Sequence, residues 1–178
     1  NELLDYLAQL HREKFVLVEY GVDSTSDATL ERINRGHSYQ CAIETIQRTA
    51  QRGLPVGAHF ILGLPGETRE FTVNQAEIIN QLPIDTLKLH QLQIIRGTAM
   101  AREFIRQRER AAQDVTYTSD YSLYSAAEYA SLVVDFLEKL RPDIVVERFA
   151  SSSPQALLLA PDWGLKNYEF VALVDKEL

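Results

Sequence analysis

Cysteine is almost absent from this sequence, which contains a single example, Cys41, among 178 residues. One thiol cannot form an internal disulfide, and it cannot supply the several thiolates of a cysteine-held metal ion or iron–sulphur cluster. Scarce cysteine is more typical of intracellular than of secreted proteins, so we predict a cytoplasmic location. Cys41 itself occupies an apolar position of a predicted helix, where we expect a small core residue.

Long apolar runs and excess positive charge are also lacking. No segment approaches the ~20 consecutive apolar residues that cross a bilayer, so we expect no membrane partner. Acidic residues outnumber basic ones by 25 to 18, which gives a net charge of -7. No general positive field therefore attracts phosphate backbones, although a local basic patch is still compatible with this balance.

The remaining composition is that of a globular domain. Hydrophobic residues make up 46% and charged residues 24% of the chain, which predicts a single domain over residues 1–178. The chain opens on Asn1 instead of methionine, and residues 1–7 have the apolar spacing of a helix already under way. We expect that the natural protein continues before Asn1.

Strand-like and helix-like segments alternate along the chain. Apolar runs that end at polar residues predict strands at 15–21, 54–62, 86–95 and 143–149, with amphipathic helices between them. Residues 101–124 are polar and rich in Arg, Gln and Tyr, which is typical of an insertion or a lid. The alternation predicts an α/β fold of parallel strands joined by right-handed crossovers. Periodicity alone does not distinguish an open sheet from a barrel.

Polar residues collect where the predicted strands end, at positions 19–24, 63–67, 91–98 and 147–153. In both architectures the chemistry lies at the carboxyl ends of the strands. We therefore expect these residues on one rim of the sheet.

Three stretches, in this order, carry a family resemblance: EYGVDS (19–24) with INRGH (33–37), then GAHFILGLPGET (57–68), then KLHQLQ (88–93) followed by Gly97-Thr98. They resemble radical S-adenosylmethionine (SAM) enzymes, in the branch of the elongator catalytic subunit and oxygen-independent coproporphyrinogen oxidase. Residues 148–163 are similar to the end of a small bacterial family of uncharacterised iron–sulphur oxidoreductases. The resemblance implies the C-terminal half of a TIM-like (β/α) barrel, with SAM-side elements in 1–100, an insertion in 101–124 and the last helix, strand and tail in 125–178.

The same resemblance implies two cofactors, SAM and a [4Fe-4S] cluster, and a 5′-deoxyadenosyl radical that removes hydrogen from a substrate. The cluster is held by a CxxxCxxC loop that this sequence does not contain. We therefore expect the chain alone to bind no metal and to be inactive, its partner being an N-terminal half that supplies the loop. The exposed edges of half a barrel also predict self-association. The substrate, whether RNA, protein or small molecule, stays open.

The chemical groups of SAM suit side chains on this rim. Arg35 offers a planar guanidinium to the methionine carboxylate, as the family pattern implies, although it could instead pair with Glu31 on its own helix. Asp23, with Ser24 beside it, offers acceptors for ribose hydroxyls or the polar end of SAM. Glu19, which we expect at the end of its strand, could take the ammonium group of SAM or a group of the substrate.

The glycine-rich turn supplies the rest of the predicted SAM site. Gly63 and Gly66, followed by Glu67, would let the backbone approach the nucleoside closely, although such a sequence is also typical of a tight turn that enters a helix. Ile61 would pack on adenine, and His59 shares its face of the strand because side chains alternate along a strand.

Other polar residues of the rim are candidates for substrate contacts, and its histidines are equally compatible with a structural role. These candidates are His37, His90, Gln91, Glu147 and Arg148. A second hypothesis also stays open: a non-catalytic α/β module that uses residues 63–67 for a nucleoside-like ligand or a partner protein.

Overall fold

The computed structural model describes all residues, 1–178, as an α/β structure. Its strands are β1 (Val18–Asp23), β2 (Val56–Leu62), β3 (Thr86–Gln91), β4 (Ile94–Ile95), β5 (Val145–Arg148) and β6 (Leu158–Ala160). Its helices are α1 (Glu2–His11), α2 (Asp27–Arg32), α3 (Tyr39–Ala50), α4 (Arg69–Ile79), α5 (Ala99–Gln113), α6 (Ala126–Lys139) and α7 (Asn167–Glu177). No helix is long and apolar enough to cross a membrane.

Four strands form one parallel sheet in the order β1-β2-β3-β5. The helical connections between successive strands of this sheet return the chain to the same end, which confirms the predicted parallel strands. The arrangement is part of a TIM-like (β/α) barrel, with one edge of β1 and one edge of β5 unpaired.

The two faces of the sheet have different surroundings because side chains alternate along each strand. Ala58, Phe60 and Leu62 of β2, with Leu87 and Leu89 of β3, are buried in the main apolar core. The helices α3, α4 and α6 contribute to that core from the same side. The opposite, concave face carries the partly exposed polar side chains, and it is this face that holds the site described below.

The first predicted strand is shifted along the chain. Strand β1 begins at Val18 and continues to Asp23, beyond the predicted 15–21. Glu19 therefore lies near the start of the strand, which corrects its expected position at the end. Phe15 is 78% exposed and outside the sheet, so the apolar run that set the predicted start is not the buried part of the strand.

The predicted third strand, 86–95, is wrong as a single element. It divides into β3 and the short β4, and β4 pairs antiparallel with β6 in a separate two-stranded sheet. The division falls at Leu92 and Gln93, which belong to neither strand.

The polar stretch 101–124 contains more regular structure than an insertion or lid implies. Most of it belongs to α5, and Ala101, Phe104 and Tyr121 are buried in a second apolar cluster with Leu64 and Ile94. Arg32 joins α2 to this stretch, because its guanidinium binds Glu103 and also the Asp120 carboxylate at 2.9 Å. This cluster closes one side of the rim.

Cys41 is exposed on α3, which corrects its predicted place in the core. The buried residues of that helix are Ala42, Ile46 and Thr49. The apolar stripe therefore passes beside Cys41, because a helix turns by about 100° per residue.

Candidate functional site

A cavity of about 480 Å³ lies at the carboxyl ends of β1, β2 and β3, on the concave face of the sheet. This volume is within the range of ligand-binding clefts. Its walls come from the three strand ends, the turn after α2 and the beginning of α5. The lining residues are Asp23, Ile33, Asn34, Arg35, His59, Ile61, Leu64, His90, Gln91, Leu92, Gln93, Met100 and Ser151. We call this space the rim cavity.

Asp23 enters the rim cavity because β1 is irregular at its end. The pairing with β2 skips Val22, and Asp23 adopts a left-handed backbone conformation with φ of 69°. Such a conformation is unusual outside glycine, though aspartate tolerates it better than most residues. Strained positions of this kind cluster at ligand sites. The Asp23 carboxylate binds the Arg35 Nε at 2.9 Å.

Arg35 is held in place from several directions. Its Nη2 donates to the Gly21 carbonyl oxygen at 2.9 Å, and its Nε lies 3.0 Å from the His37 Nε2. A Cβ at Gly21 would lie 2.7 Å from Nη2, so only glycine lets the guanidinium approach so closely. The alternative pairing of Arg35 with Glu31 does not occur. The Nη1 group makes no hydrogen bond within the chain and is free to donate to a ligand.

One wall of the rim cavity is apolar. Ile33, Ile61, Leu64, Leu92 and Met100 line it. Sequence reasoning identified Ile61 but missed Leu64 and Met100. Met100 is the only methionine in the chain, and its position in the first turn of a helix after Gly97-Thr98 was the available signal. A flat apolar ring is the chemistry that such a wall favours.

The floor of the rim cavity contains two histidines from neighbouring strands. The rings of His59 and His90 are 5.3 Å apart between centroids. His59 Nε2 lies 3.2 Å from a Glu19 carboxylate oxygen, and His90 Nδ1 is hydrogen-bonded to the Ser151 hydroxyl. Burial lowers the pKa of His90 to about 4, and positive charge at His59, Arg148 and Lys88 acts in the same direction. His90 is therefore neutral at physiological pH.

Below the histidines, three charged side chains form a network across the sheet. The Lys88 ammonium binds Glu19 and lies 3.4 Å from Glu147. A hydrogen bond from Lys88 lowers the pKa of Glu19, and the same bond raises the pKa of Lys88. Glu19 is thus engaged by protein groups, so it is poorly placed for the ammonium of a ligand. Sequence reasoning missed Lys88, although it stands two residues before His90 on the same face.

Gln91 and Gln93 fasten the loop after β5 to the end of β3. The Gln91 amide accepts from the Ser151 N–H at 2.6 Å and donates to the Ser151 carbonyl oxygen at 2.9 Å. This two-point contact makes Gln91 a structural residue that also lines the rim cavity. Ser151 and Gln93, which sequence reasoning did not single out, are thereby fixed at the cavity wall.

Several predicted site residues lie outside the rim cavity. Ser24 is fully buried and donates to Glu67 at 2.6 Å, a contact that joins the loops after β1 and β2. Burial raises the pKa of Glu67. Gly63 has a φ of 84°, and a Cβ there would lie 2.9 Å from the Tyr124 ring. Tyr124 therefore covers the turn at Gly63.

The other candidates outside the rim cavity face solvent or contact other groups of the protein. Gly66 has open space around it and donates its N–H to the Asp120 carbonyl oxygen. His37 contacts Arg35 and the Gly21 carbonyl oxygen, 3.1 Å from its Nε2. Glu147 belongs to the Lys88 network, and Arg148 is exposed at the end of β5.

Comparison with known proteins identifies the class to which this fold and rim belong. Residues 1–73 match the model of the radical SAM superfamily, and residues 84–178 match the model of the Radical_SAM C-terminal domain. The chain belongs to the radical SAM superfamily. Members of this family generally use SAM and a [4Fe-4S] cluster.

Individual relatives extend over the whole chain. It is 29% identical to the uncharacterised protein YtqA of Bacillus subtilis (strain 168), over 100% of this chain and 52% of YtqA. It is 30% identical to MJ0486 of Methanocaldococcus jannaschii, over 99% of this chain and 52% of that protein. The chain thus spans about half the length of these relatives.

A solved structure supports the fold. The Elp3 protein of the archaeon Methanocaldococcus infernus, with residues 1–46 deleted, superposes with a TM-score of 0.74 over 97% of this chain and 39% of that chain. The sequence identity is 19%, so the likeness concerns the fold alone.

Proposed function

We propose that this chain is the SAM-binding part of a radical SAM enzyme, and that SAM occupies the rim cavity. The observation that carries the proposal is the ion pair of Asp23 and Arg35, with Arg35 seated over Gly21 and its Nη1 free. A guanidinium fixed in this way is pre-organised to bind a carboxylate through charge-assisted hydrogen bonds.

The remaining walls suit the other groups of SAM. The Asp23 carboxylate binds Arg35 through Oδ2, which leaves Oδ1 as an acceptor for ribose hydroxyls or for the ammonium. The apolar wall with Ile61, Leu64 and Met100 suits the flat adenine ring. Gly63 and Gly66 are less suitable than the sequence implies, because Tyr124 already covers Gly63 and neither glycine lines the cavity.

The cluster belongs to a part of the enzyme outside residues 1–178 in this proposal. A single cysteine cannot supply three thiolate ligands. A cluster held by that other part would supply the electron for cleavage of SAM, and the resulting radical chemistry would act on a substrate. The residues of this chain would bind and orient SAM, with Met100 of α5 contributing to the apolar wall.

Other features of the intact enzyme remain part of the proposal. We expect a cytoplasmic oxidoreductase whose substrate is RNA, protein or a small molecule. The unpaired edges of β1 and β5 are available for a further segment of the enzyme or for a second copy of the chain.

Equilibrium binding of SAM to this chain tests the proposal. Isothermal titration should show saturable binding of one SAM per chain, with adenosine weaker because it lacks the carboxylate that Arg35 binds. Equal affinity for adenosine and SAM would instead favour a nucleoside-binding module. Absence of binding to either ligand would contradict the use of the rim cavity as a SAM site.

A further inference from the structure

We propose that a second cavity, beside the rim cavity, binds the substrate through a planar heteroaromatic ring. This cavity has a volume of about 290 Å³ and shares Gln91, Gln93 and Ser151 with the rim cavity. A ligand there would adjoin a ligand in the rim cavity. Its assignment to the substrate rests on the proposed function, because only that function makes the rim cavity the place of reaction.

The second cavity has a rigid aromatic wall, Trp163. The indole Nε1 donates to the Tyr124 carbonyl oxygen at 3.0 Å, and the ring stacks on Phe170 with centroids 5.4 Å apart and planes inclined by 16°. Phe170 is only 1% exposed, so it anchors the indole in the main core. A ring fixed in this way needs no ordering when a ligand binds, and aromatic rings offer a platform on which other flat rings stack.

The charges around this platform favour a neutral ligand. One carboxylate, Asp162, and one ammonium, Lys166, line the cavity, so no net charge attracts an anion or a cation. Lys166 has no carboxylate partner, and its Nζ lies 5.9 Å from the Tyr168 ring centroid. A free ammonium and an amide, that of Gln155, beside an aromatic face are suited to a flat ring whose edge carries nitrogen and oxygen atoms.

The boundary between the two cavities is well fixed. Gln91 holds the backbone of Ser151 at two points, and Gln93 binds the Ser153 hydroxyl at 2.7 Å. These contacts keep the ring site at a constant position relative to the rim cavity. Such pre-organisation is what positions a substrate next to a reactive group.

The test uses the fluorescence of Trp163, which is the only tryptophan of the chain. The probes are uridine, cytidine and nicotinamide, with ribose as a control that lacks a ring. At least one ring compound should change the emission saturably, with a Kd below about 5 mM, whereas ribose should not. A six-nucleotide oligouridylate, compared with uridine, distinguishes a base within a nucleic acid from a free nucleoside.

Substitutions in the second cavity test whether the ring compound binds there. Lys166→Ala should weaken binding of the ring by about tenfold or more, for the loss of a hydrogen bond from a charged group. Gln155→Ala should weaken it by up to about tenfold, for the loss of a neutral hydrogen bond. Lys176→Ala, an exposed lysine elsewhere on α7, is the matched control. Failure of all three rings to bind, or binding that neither Lys166→Ala nor Gln155→Ala weakens, would overturn the proposal.

One further variant separates this proposal from the proposed function. Arg35→Ala should leave ring binding unchanged, because Arg35 does not line the second cavity. If the rings bind but SAM does not, the second cavity is a ring-binding site, but its assignment to the substrate is wrong. If SAM binds and no ring does, the proposed function stands without this site.

Discussion

Glu19 reaches across a whole strand to bind Lys88. The two residues lie on β1 and β3, and the strand between them, β2, has Gly57 at the crossing point. Gly57 is the partner of Glu19 in the β1–β2 register. The absence of a side chain at this position is what allows the carboxylate to pass over the sheet.

Replacement of this glycine should destabilise the fold. A Cβ at position 57 would lie 2.7 Å from the Thr86 Oγ1 and 3.1 Å from the Glu19 Cγ, so both side chains would have to move. We expect Gly57→Ala to lower the free energy of unfolding by about 1–3 kcal/mol, as overpacked cores do. Gly36→Ala, where nothing lies within 4 Å, is the control in urea denaturation. Equal stability of the two variants would show that the crossing has room for a methyl group.

Replacement of Lys88 should change how the stability of the fold depends on pH. In Lys88→Met, Glu19 and Glu147 lose the cation that they share. We expect the free energy of unfolding to fall by only about 1 kcal/mol at pH 7, because solvent screens a partly exposed ion pair. Lys88 keeps the pKa of Glu19 below its ordinary 4.5, so this stabilisation is present above that pH and declines as the pH falls. The difference between wild type and variant should therefore be constant from pH 7 to about pH 5 and shrink as the pH falls below 4.5. A difference that is undiminished at pH 3 would contradict the ion pair as its cause.

His90 should remain neutral where an ordinary histidine is already protonated. Its pKa of about 4 in the fold lies below the ordinary 6.5, so the unfolded chain binds more protons between these values. This contribution to stability is complete above pH 6.5 and is lost as the pH falls toward 4. In an NMR titration the His90 ring protons should not shift between pH 7 and pH 5, and His90→Gln should show a smaller loss of stability over that range. A titration midpoint of His90 near pH 6.5 would contradict the lowered pKa of this histidine.

Two substitutions at Asp23 should separate its charge from its backbone conformation. Asp23→Asn removes the ion pair with Arg35 but keeps a residue type that tolerates positive φ, so SAM affinity should fall with little change in stability. Asp23→Ala should lose the same affinity and in addition about 1 kcal/mol of stability. Circular dichroism on both variants, beside SAM titration, checks this. Equal stability of the two variants would mean that the left-handed conformation costs alanine nothing here.

Much of the fold could be predicted because local patterns determine it. Alternation of strand-like and helix-like segments predicted the parallel order, and the pattern of polar strand ends included Asp23 and Gln91, which line one cavity. The start of β1 could not be predicted from the run 15–18, because burial of those residues depends on packing between distant elements.

Contacts between distant segments also explain what was missed at the site. Gly63 has the positive φ expected of a glycine-rich turn, but nothing near it in the sequence indicates that Tyr124 packs against it. The arginines of α5 gave that segment a polar character, whereas its buried side consists of few residues, Ala101 and Phe104 among them. The role of Lys88 depends on Glu19 and Glu147, which come from two other strands.

The central claim is that Arg35 binds the methionine carboxylate of SAM. The direct measurement is the SAM dissociation constant of wild type, Arg35→Ala and Arg12→Ala, a control arginine that is exposed beyond α1 and makes no side-chain hydrogen bond. Loss of a charge-assisted hydrogen bond predicts a tenfold to hundredfold weaker affinity, as an order of magnitude, for Arg35→Ala. Arg12→Ala should equal wild type. An unchanged dissociation constant for Arg35→Ala would contradict the placement of SAM in the rim cavity.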